Sequence, residues 1–148
     1  MNDMGTTTKA LYETDFVEWT AQTAGLLRDG RLDEVDLEHV AEEIEDLGKS
    51  ERSTVASHLL RLLLHQIKRK IQPERDGSSW RHSITTSRAK IKFKIADSPS
   101  LWRFLEENLH ELYRRAVKDA LFETGLKSAE VPRDCPYTLN ELLERDDL

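Results

Sequence analysis

The sequence predicts an all-α protein: a single-domain helical bundle of about four main helices, one of them long, followed by a short C-terminal helix. Three observations predict this class. Proline is absent from residues 1–72. The glycines and prolines that do occur fall in clusters and leave stretches of helix length between them. Apolar residues recur within those stretches at steps of three and four, which is the helical period. With 148 residues, the chain is long enough to bury a core without disulfides or metals.

The first predicted helix carries an apolar stripe that precedes Gly30. Asp15 and Glu18 have the spacing of a helix cap, and Gly30 is typical of a helix end. We expect residues 1–10 to be a flexible N-terminus and residues 11–148 to form a single helical domain. The stripe consists of Tyr12, Phe16, Trp19, Thr23 and Leu26.

The longest uninterrupted segment runs from Asp33 to Ile71. Its apolar spacing predicts one long helix, bent at Gly48, or two helices that break there, because a glycine inside a helix costs about 1 kcal/mol relative to alanine. The segment LLRLLLHQI, residues 59–67, is apolar on nearly all sides. Such a segment belongs in the middle of a bundle.

Residues 79–96 give two conflicting patterns. Trp80, Ile84 and Ile91 follow a helical stripe, whereas KIKFKI at residues 90–95 alternates like a strand. We predict a helix, because no other segment offers a strand to pair with, and a lone strand leaves its backbone groups unpaired.

The last two predicted helices have clear end signals. Ser98 and Pro99 suit the start of the fourth helix, and Gly125 suits its end. Thr138 and Glu141 then have the spacing of a capping box, which predicts a short final helix.

Several short motifs occur together in a fixed order over residues 11–143. They are LYETDF (11–16), EEIEDLG (42–48), His65 with Lys68, Pro73 with Glu74, Ser79-Trp80-Arg81, Pro99-Ser100-Leu101, ETGL (123–126) and CPYT (135–138). As a set they resemble a bacterial family catalogued as domain of unknown function twenty-nine. The resemblance implies a small, helical, cytoplasmic protein. It supplies no reaction, ligand or catalytic residue.

Charge is distributed unevenly along the chain. Eight acidic residues and no Lys or Arg lie between Asp33 and Asp46, whereas residues 61–95 hold ten basic and two acidic residues. The favoured interpretation is that the acidic stretch and the basic third helix pack as neighbours. The alternative is a nucleic-acid surface, which the net charge of -6 and the scatter of the basic residues around the helix disfavour. That surface would use Lys68, Arg69, Lys70, Arg81, Lys90, Lys92 and Lys94, with Trp80 stacking on bases.

Three polar residues interrupt or border apolar stripes: Glu43, His65 and Arg88. If they are buried they need hydrogen-bond partners, and Arg88 is the obvious charge partner for Glu43. The favoured interpretation is a structural network that sets helix register. The alternative is an enzyme site or ligand pocket around these three side chains.

The sequence gives little support for a metal site or a catalytic residue. The pairs Asp36 with His39 and Glu107 with His110 have a spacing that can reach one metal, but composition alone accounts for them, and we expect both imidazoles to be solvated. Cys135 is a lone cysteine in a loop, which fits a reducing compartment. We expect no metal, no cofactor and no catalytic residue, and no stretch approaches the roughly 18 apolar residues of a membrane span.

The sequence therefore favours a non-enzymatic cytoplasmic module that binds a protein partner or associates with itself through a helix face. Nucleic-acid binding by residues 61–95 is the second hypothesis. A pocket around Glu43, His65 and Arg88 is the third.

Overall fold

A computed structural model describes the backbone of residues 4–126 and 131–148, and the side chains of residues 8–126 and 131–148. Within these residues all regular structure is helical, which confirms the predicted all-α class. Two single turns of 3-10 helix, Leu32–Glu34 and Pro73–Arg75, accompany the α-helices. The α-helices are α1 (Met4–Thr14), α2 (Phe16–Arg28), α3 (Leu37–Ile71), α4 (Ser78–Asp97), α5 (Ser100–Thr124) and α6 (Leu139–Glu144).

The chain divides into two compact units: an N-terminal unit, Met1–Lys49, and a C-terminal unit, Ser50–Leu148. The single domain expected over residues 11–148 stays a prediction. Helix α1 begins at Met4, inside the segment expected to be a flexible N-terminus, and residues 1–3 of that segment lie outside the described residues.

In the N-terminal unit, the predicted first helix is divided in two at Asp15. This residue adopts a non-helical backbone conformation, with a φ of -150°, and its carboxylate accepts a hydrogen bond from the backbone N–H of Glu18 at 3.1 Å. The predicted cap is therefore present, but a helix precedes it, because local spacing does not show whether the residues before a cap are themselves helical. After α2 ends at Arg28, Gly30 adopts a φ of +70° and turns the chain.

Helix α3 is continuous over 35 residues from Leu37 to Ile71. Of the two alternatives left open at Gly48, the structure shows the single long helix. Only the part of α3 from Val55 onward contributes to the hydrophobic core of the C-terminal unit. The apolar segment at residues 59–67 lies there, in the middle of the C-terminal unit, as predicted.

The core of the C-terminal unit forms where α3, α4, α5 and α6 meet, with Leu59, Ile91 and Leu105 fully buried. Residues 90–95 are helical, as predicted, since they lie within α4. Their strand-like alternation arises by chance, because Ile91 is buried while Phe93, two residues on, is exposed.

The predicted start and end residues of the last two helices are confirmed with one exception. Gly125 adopts a φ of +70° and ends α5, and Thr138 and Glu141 form both hydrogen bonds of a capping box at α6. The exception is Ser98, which was expected to cap α5. The capping position belongs to Pro99 instead, without a side-chain hydrogen bond. No helix in the described part of the chain combines the length and the hydropathy needed to cross a membrane.

Candidate functional site

The N-terminal unit concentrates the negative charge of the protein. Residues 1–49 carry 13 acidic and four basic side chains, whereas residues 50–148 carry 15 acidic and 18 basic ones. The net charge of -6 therefore originates in the first third of the chain. A field of one sign on a small unit attracts partners of the opposite sign.

The same unit also exposes most of the large apolar side chains that contact solvent. Among the described side chains, nine large hydrophobic residues are exposed, and seven of them belong to this unit. Apolar groups gathered on one small unit and surrounded by polar residues are typical of an interaction surface. The seven are Phe16, Val17, Leu27, Leu32, Leu37, Ile44 and Leu47.

Three of these residues lie on the first turns of α3. Leu37, Ile44 and Leu47 are 58%, 63% and 68% exposed. Leu37 and Ile44 are seven residues apart and therefore point in directions only about 20° apart around the helix, with Leu47 one turn further along. We define the acidic face as these three residues together with Glu38 and Glu45, the exposed carboxylates of this part of α3 that point within about 120° of Leu37 and Ile44.

A cluster of aromatic and polar side chains fixes α3 against α1 within the N-terminal unit. The Tyr12 hydroxyl donates to Oε1 of Glu43 at 2.6 Å, and the Tyr12 ring stacks on the His39 ring with centroids 3.8 Å apart. The hydrogen bond to Glu43 raises the pKa of Tyr12 to about 12. The edge of the Tyr12 ring also contacts Trp19 of α2, with centroids 4.9 Å apart. Glu43 is thus directed toward α1, which leaves Leu37 and Ile44 on the solvent side.

Asp36 and His39 form the start of α3. The buried Asp36 carboxylate accepts from the His39 backbone N–H at 3.3 Å and lies 2.5 Å from His39 Nδ1. The hydrogen bond to Asp36 raises the pKa of His39. Burial alone would raise the pKa of Asp36, but the hydrogen bonds from His39 outweigh it and lower that pKa. The expectation that His39 is solvated is therefore wrong, because the ring is held by Asp36 and Tyr12.

The three polar residues predicted to form one network share no hydrogen-bond partner among the described residues. Glu43 is half-buried and accepts from Tyr12. His65 is also half-buried, and its Nδ1 is buried with no hydrogen-bond partner among the described residues. Burial and the nearby Lys68 lower the pKa of His65.

Arg88, suggested as the partner of Glu43, is bound by the C-terminal segment instead. Its guanidinium donates to the carbonyl oxygens of Leu142 at 3.1 Å and Arg145 at 2.8 Å, and to the Asp146 carboxylate at 2.5 Å. It thus caps the end of α6, where the carbonyl groups lack helical partners. This contact links residues more than 50 positions apart, so helix periodicity alone could not reveal it.

Most of the basic residues suggested for nucleic-acid binding already have partners. Lys68 donates to Glu123 at 2.9 Å, and its Nζ lies 4.9 Å from the centre of the Trp80 ring. Lys70 lies over the Tyr137 ring at 4.4 Å. Trp80, proposed to stack on bases, is thus occupied by a cation within the protein.

The other basic residues of that set, except Lys90, also form ion pairs. Arg69 and Arg81 both donate to Asp76, and together they lower the pKa of Asp76 against the opposing effect of burial. Lys90 is exposed, and no ion pair of this residue occurs among the described side chains. The remaining pairs are Lys92 with Glu144 and Lys94 with Glu51.

The predicted pairing of this basic segment with residues 33–46 stays a prediction, because the two segments belong to different units. Within the C-terminal unit the basic segment has other carboxylate partners, namely Glu51, Asp76, Glu123, Glu144 and Asp146. Charge balance along the sequence could not identify these partners, because acidic residues are spread over the whole chain. The side chains of the acidic face are themselves exposed.

The remaining candidate metal ligands and nucleophiles, Glu107, His110 and Cys135, do not form a site in the described residues. No three His, Cys, Asp or Glu side chains come together as a metal site in the described residues. Glu107 accepts from Arg103 at 2.9 Å, and His110 is exposed. Burial raises the pKa of the Cys135 thiol to about 11, which makes it a poor nucleophile at neutral pH.

Sequence reasoning missed two residues. Tyr12 was assigned to an apolar stripe, and its hydroxyl gave no sign of a partner 31 residues away. Gln66 lies within the apolar segment at residues 59–67, where a polar residue is itself a signal. In the structure Gln66 is only 3% exposed.

Comparison with known proteins identifies the family. The sequence profile described as "Domain of unknown function DUF29" matches residues 11–148. The chain belongs to the DUF29 family. A solved structure with a similar fold is an α-helical protein of unknown function from Rhodospirillum rubrum, 29% identical, with a TM-score of 0.64 and coverage of 91% of this DUF29 chain and 90% of the other. No curated protein matches this DUF29 chain.

Proposed function

We propose that this DUF29 protein is a non-enzymatic binding module whose acidic face docks an amphipathic helix with basic flanks from a partner protein. The observation that carries the proposal is the exposure of Leu37, Ile44 and Leu47 at the start of α3, where residues 33–46 hold eight acidic side chains and no Lys or Arg. Helices recognise one another through apolar residues at spacings of three, four and seven.

The charge of the face supports a basic partner over a second copy of the same chain. Two acidic faces brought together would oppose Glu38 and Glu45 of one copy to the carboxylates of the other, and like charges across an interface are destabilising. A helix with an apolar stripe and flanking Lys or Arg matches both features of the face. Because three apolar side chains make a small interface, we expect an affinity on the order of 10 µM.

A cytoplasmic, bacterial origin belongs to the same proposal. It is supported by the single cysteine, Cys135, and by the R. rubrum relative. Nucleic-acid binding has weaker support, since the ion pairs of Lys68, Arg69, Arg81, Lys92 and Lys94 would have to break before phosphates could take their place.

The experiment uses a labelled amphipathic peptide built from Leu and Lys heptads, titrated with the full chain and followed by fluorescence anisotropy. A peptide with Glu in place of every Lys is the charge control. We expect saturable binding of the Lys peptide that weakens with salt, and none of the Glu peptide. The double variant Leu37→Ser/Ile44→Ser should bind at least about tenfold more weakly, since burying each side chain contributes about 1.5–3 kcal/mol.

Phe122→Ser is the matched control, because Phe122 is an exposed apolar residue of α5 in the other unit. It should bind the peptide like the original chain. Equal binding by the double variant would contradict the proposal. So would a dimer, seen by sedimentation, that the double variant dissociates, since the occupant would then be a second copy. Oligonucleotide binding lost in Lys90→Glu/Lys94→Glu would favour the nucleic-acid alternative instead.

A further inference from the structure

The C-terminal unit contains a small cavity between α3, α5 and the loop before α6. Its volume is about 40 Å³, and its walls are mainly apolar. Gln66 and Ile67 form the α3 wall, Tyr113 the α5 wall, and Pro132 and Tyr137 the loop wall. It lies outside the acidic face and shares none of its residues.

Gln66 is the feature that distinguishes this cavity from a packing defect. The residue is 97% buried, and neither Oε1 nor Nε2 of its amide has a hydrogen-bond partner among the described residues. The hydroxyl of Tyr137, on the opposite wall, is likewise buried without such a partner. Buried polar atoms are nearly always paired in folded proteins, so three unpaired ones around one cavity indicate a bound group.

The walls of the cavity are held in place before any ligand binds. The buried Tyr113 hydroxyl donates to the Pro132 carbonyl at 2.7 Å, and the Cys135 thiol donates to the Tyr137 carbonyl at 3.4 Å. At the rim, Lys70 Nζ lies 4.4 Å from the centre of the Tyr137 ring. A preformed cavity loses little entropy when it binds a ligand.

We propose that this cavity binds a small molecule bearing a primary carboxamide or a lactam. A glutamine amide presents a donor and an acceptor side by side, and the complementary group is another amide with its N–H and C=O on one edge. The volume has room for an amide group but not for a whole ring, so the apolar body of the ligand extends past the rim at Lys70. A compact amide with an apolar body satisfies both the Gln66 amide and the walls.

The test compares 2-pyrrolidinone with cyclopentanone, which has the same ring but a CH₂ group in place of the N–H. Binding is followed by NMR, using the Gln66 side-chain NH₂ signals of the full chain. We expect saturable binding of 2-pyrrolidinone with a Kd on the order of 1–10 mM, as suits so small a ligand. Cyclopentanone should bind roughly five- to tenfold more weakly, since it lacks one hydrogen bond.

The variants separate a binding role of Gln66 from a structural one. Gln66→Met should lose binding about fivefold or more without lowering the melting temperature, because an apolar side chain of similar shape leaves no polar atom unpaired. Tyr137→Phe is a second variant that also weakens binding, should Gln66→Met fail to fold. Gln22→Met, at an exposed glutamine of α2, is the matched control and should bind normally.

Two results would overturn the proposal. Equal affinities for the two ring compounds, or no saturable binding of either, would mean that the cavity holds water only. A Gln66→Met protein that binds normally, or that melts at a clearly lower temperature, would show that the amide serves the folded core and not a ligand.

Discussion

Arg88 connects α4 to the end of α6, and replacing it by methionine removes the guanidinium while keeping the apolar stem. Its side chain is 12% exposed and donates to the carbonyl oxygens of Leu142 and Arg145. A hydrogen bond from a charged group contributes about 1.5–3 kcal/mol, and the lower end applies here because a frayed α6 would expose its carbonyls to water. Two bonds give about 3 kcal/mol.

The ion pair with Asp146 adds little to this value, because the Asp146 side chain is 95% exposed and a surface pair contributes at most about 1 kcal/mol. Arg88→Met should therefore lower the free energy of unfolding by about 3 kcal/mol in urea titrations, whereas Asp146→Asn should lower it by well under 1 kcal/mol. Hydrogen exchange should accelerate at the amides of α6 in Arg88→Met.

A cost below about 1 kcal/mol for Arg88→Met would refute the reasoning, since the two carbonyl bonds would then contribute nothing beyond what water supplies. An equal loss in the free energy of unfolding for Asp146→Asn would also refute the reasoning, because the stabilisation would then come from the ion pair and not from the bonds to the carbonyl groups of α6.

Two further predictions follow from proton equilibria. Since Asp36 raises the pKa of His39, the imidazole should titrate above about 6.5 by NMR and return toward that value in Asp36→Asn. The pKa of His39 is higher in the folded than in the unfolded chain, so the contribution of the Asp36–His39 pair to stability is complete below about pH 6.5 and disappears as the pH rises through the folded pKa. An unchanged titration of His39 in Asp36→Asn would contradict this prediction. Because burial raises the pKa of Cys135 to about 11, the thiol of the folded chain should react with an aromatic disulfide reagent far more slowly than that of the urea-unfolded chain, and equal rates would contradict this.

The N-terminal unit combines its exposed apolar residues with a net charge of -9, from 13 acidic and four basic side chains. Like charge keeps copies of the unit apart while leaving Leu37 and Ile44 open to a partner of opposite charge. On the function proposed above, the same charge gives selectivity for a basic helix over a second copy of the chain.

The candidate site was only partly predictable. The acidic stretch from Asp33 to Asp46 is visible in the sequence, and so is the spacing of Leu37, Ile44 and Leu47. Their exposure is not, because the same stripe could have been buried against a neighbouring helix. Gln66 is a polar residue within the apolar segment at residues 59–67, but that its amide lies unpaired at a cavity depends on Tyr113 and Tyr137, which are distant in sequence.

The sequence by itself determined the helices and most of their ends. Helical periodicity, the Thr138–Glu141 capping box and the left-handed Gly125 act over one or two turns, so they can be recognised locally. Only the tertiary structure decided which side chains meet. Arg88 reaches the end of α6 and Tyr12 reaches Glu43 because the rotation and approach of whole helices bring them together, and many residues far apart in sequence set that geometry jointly.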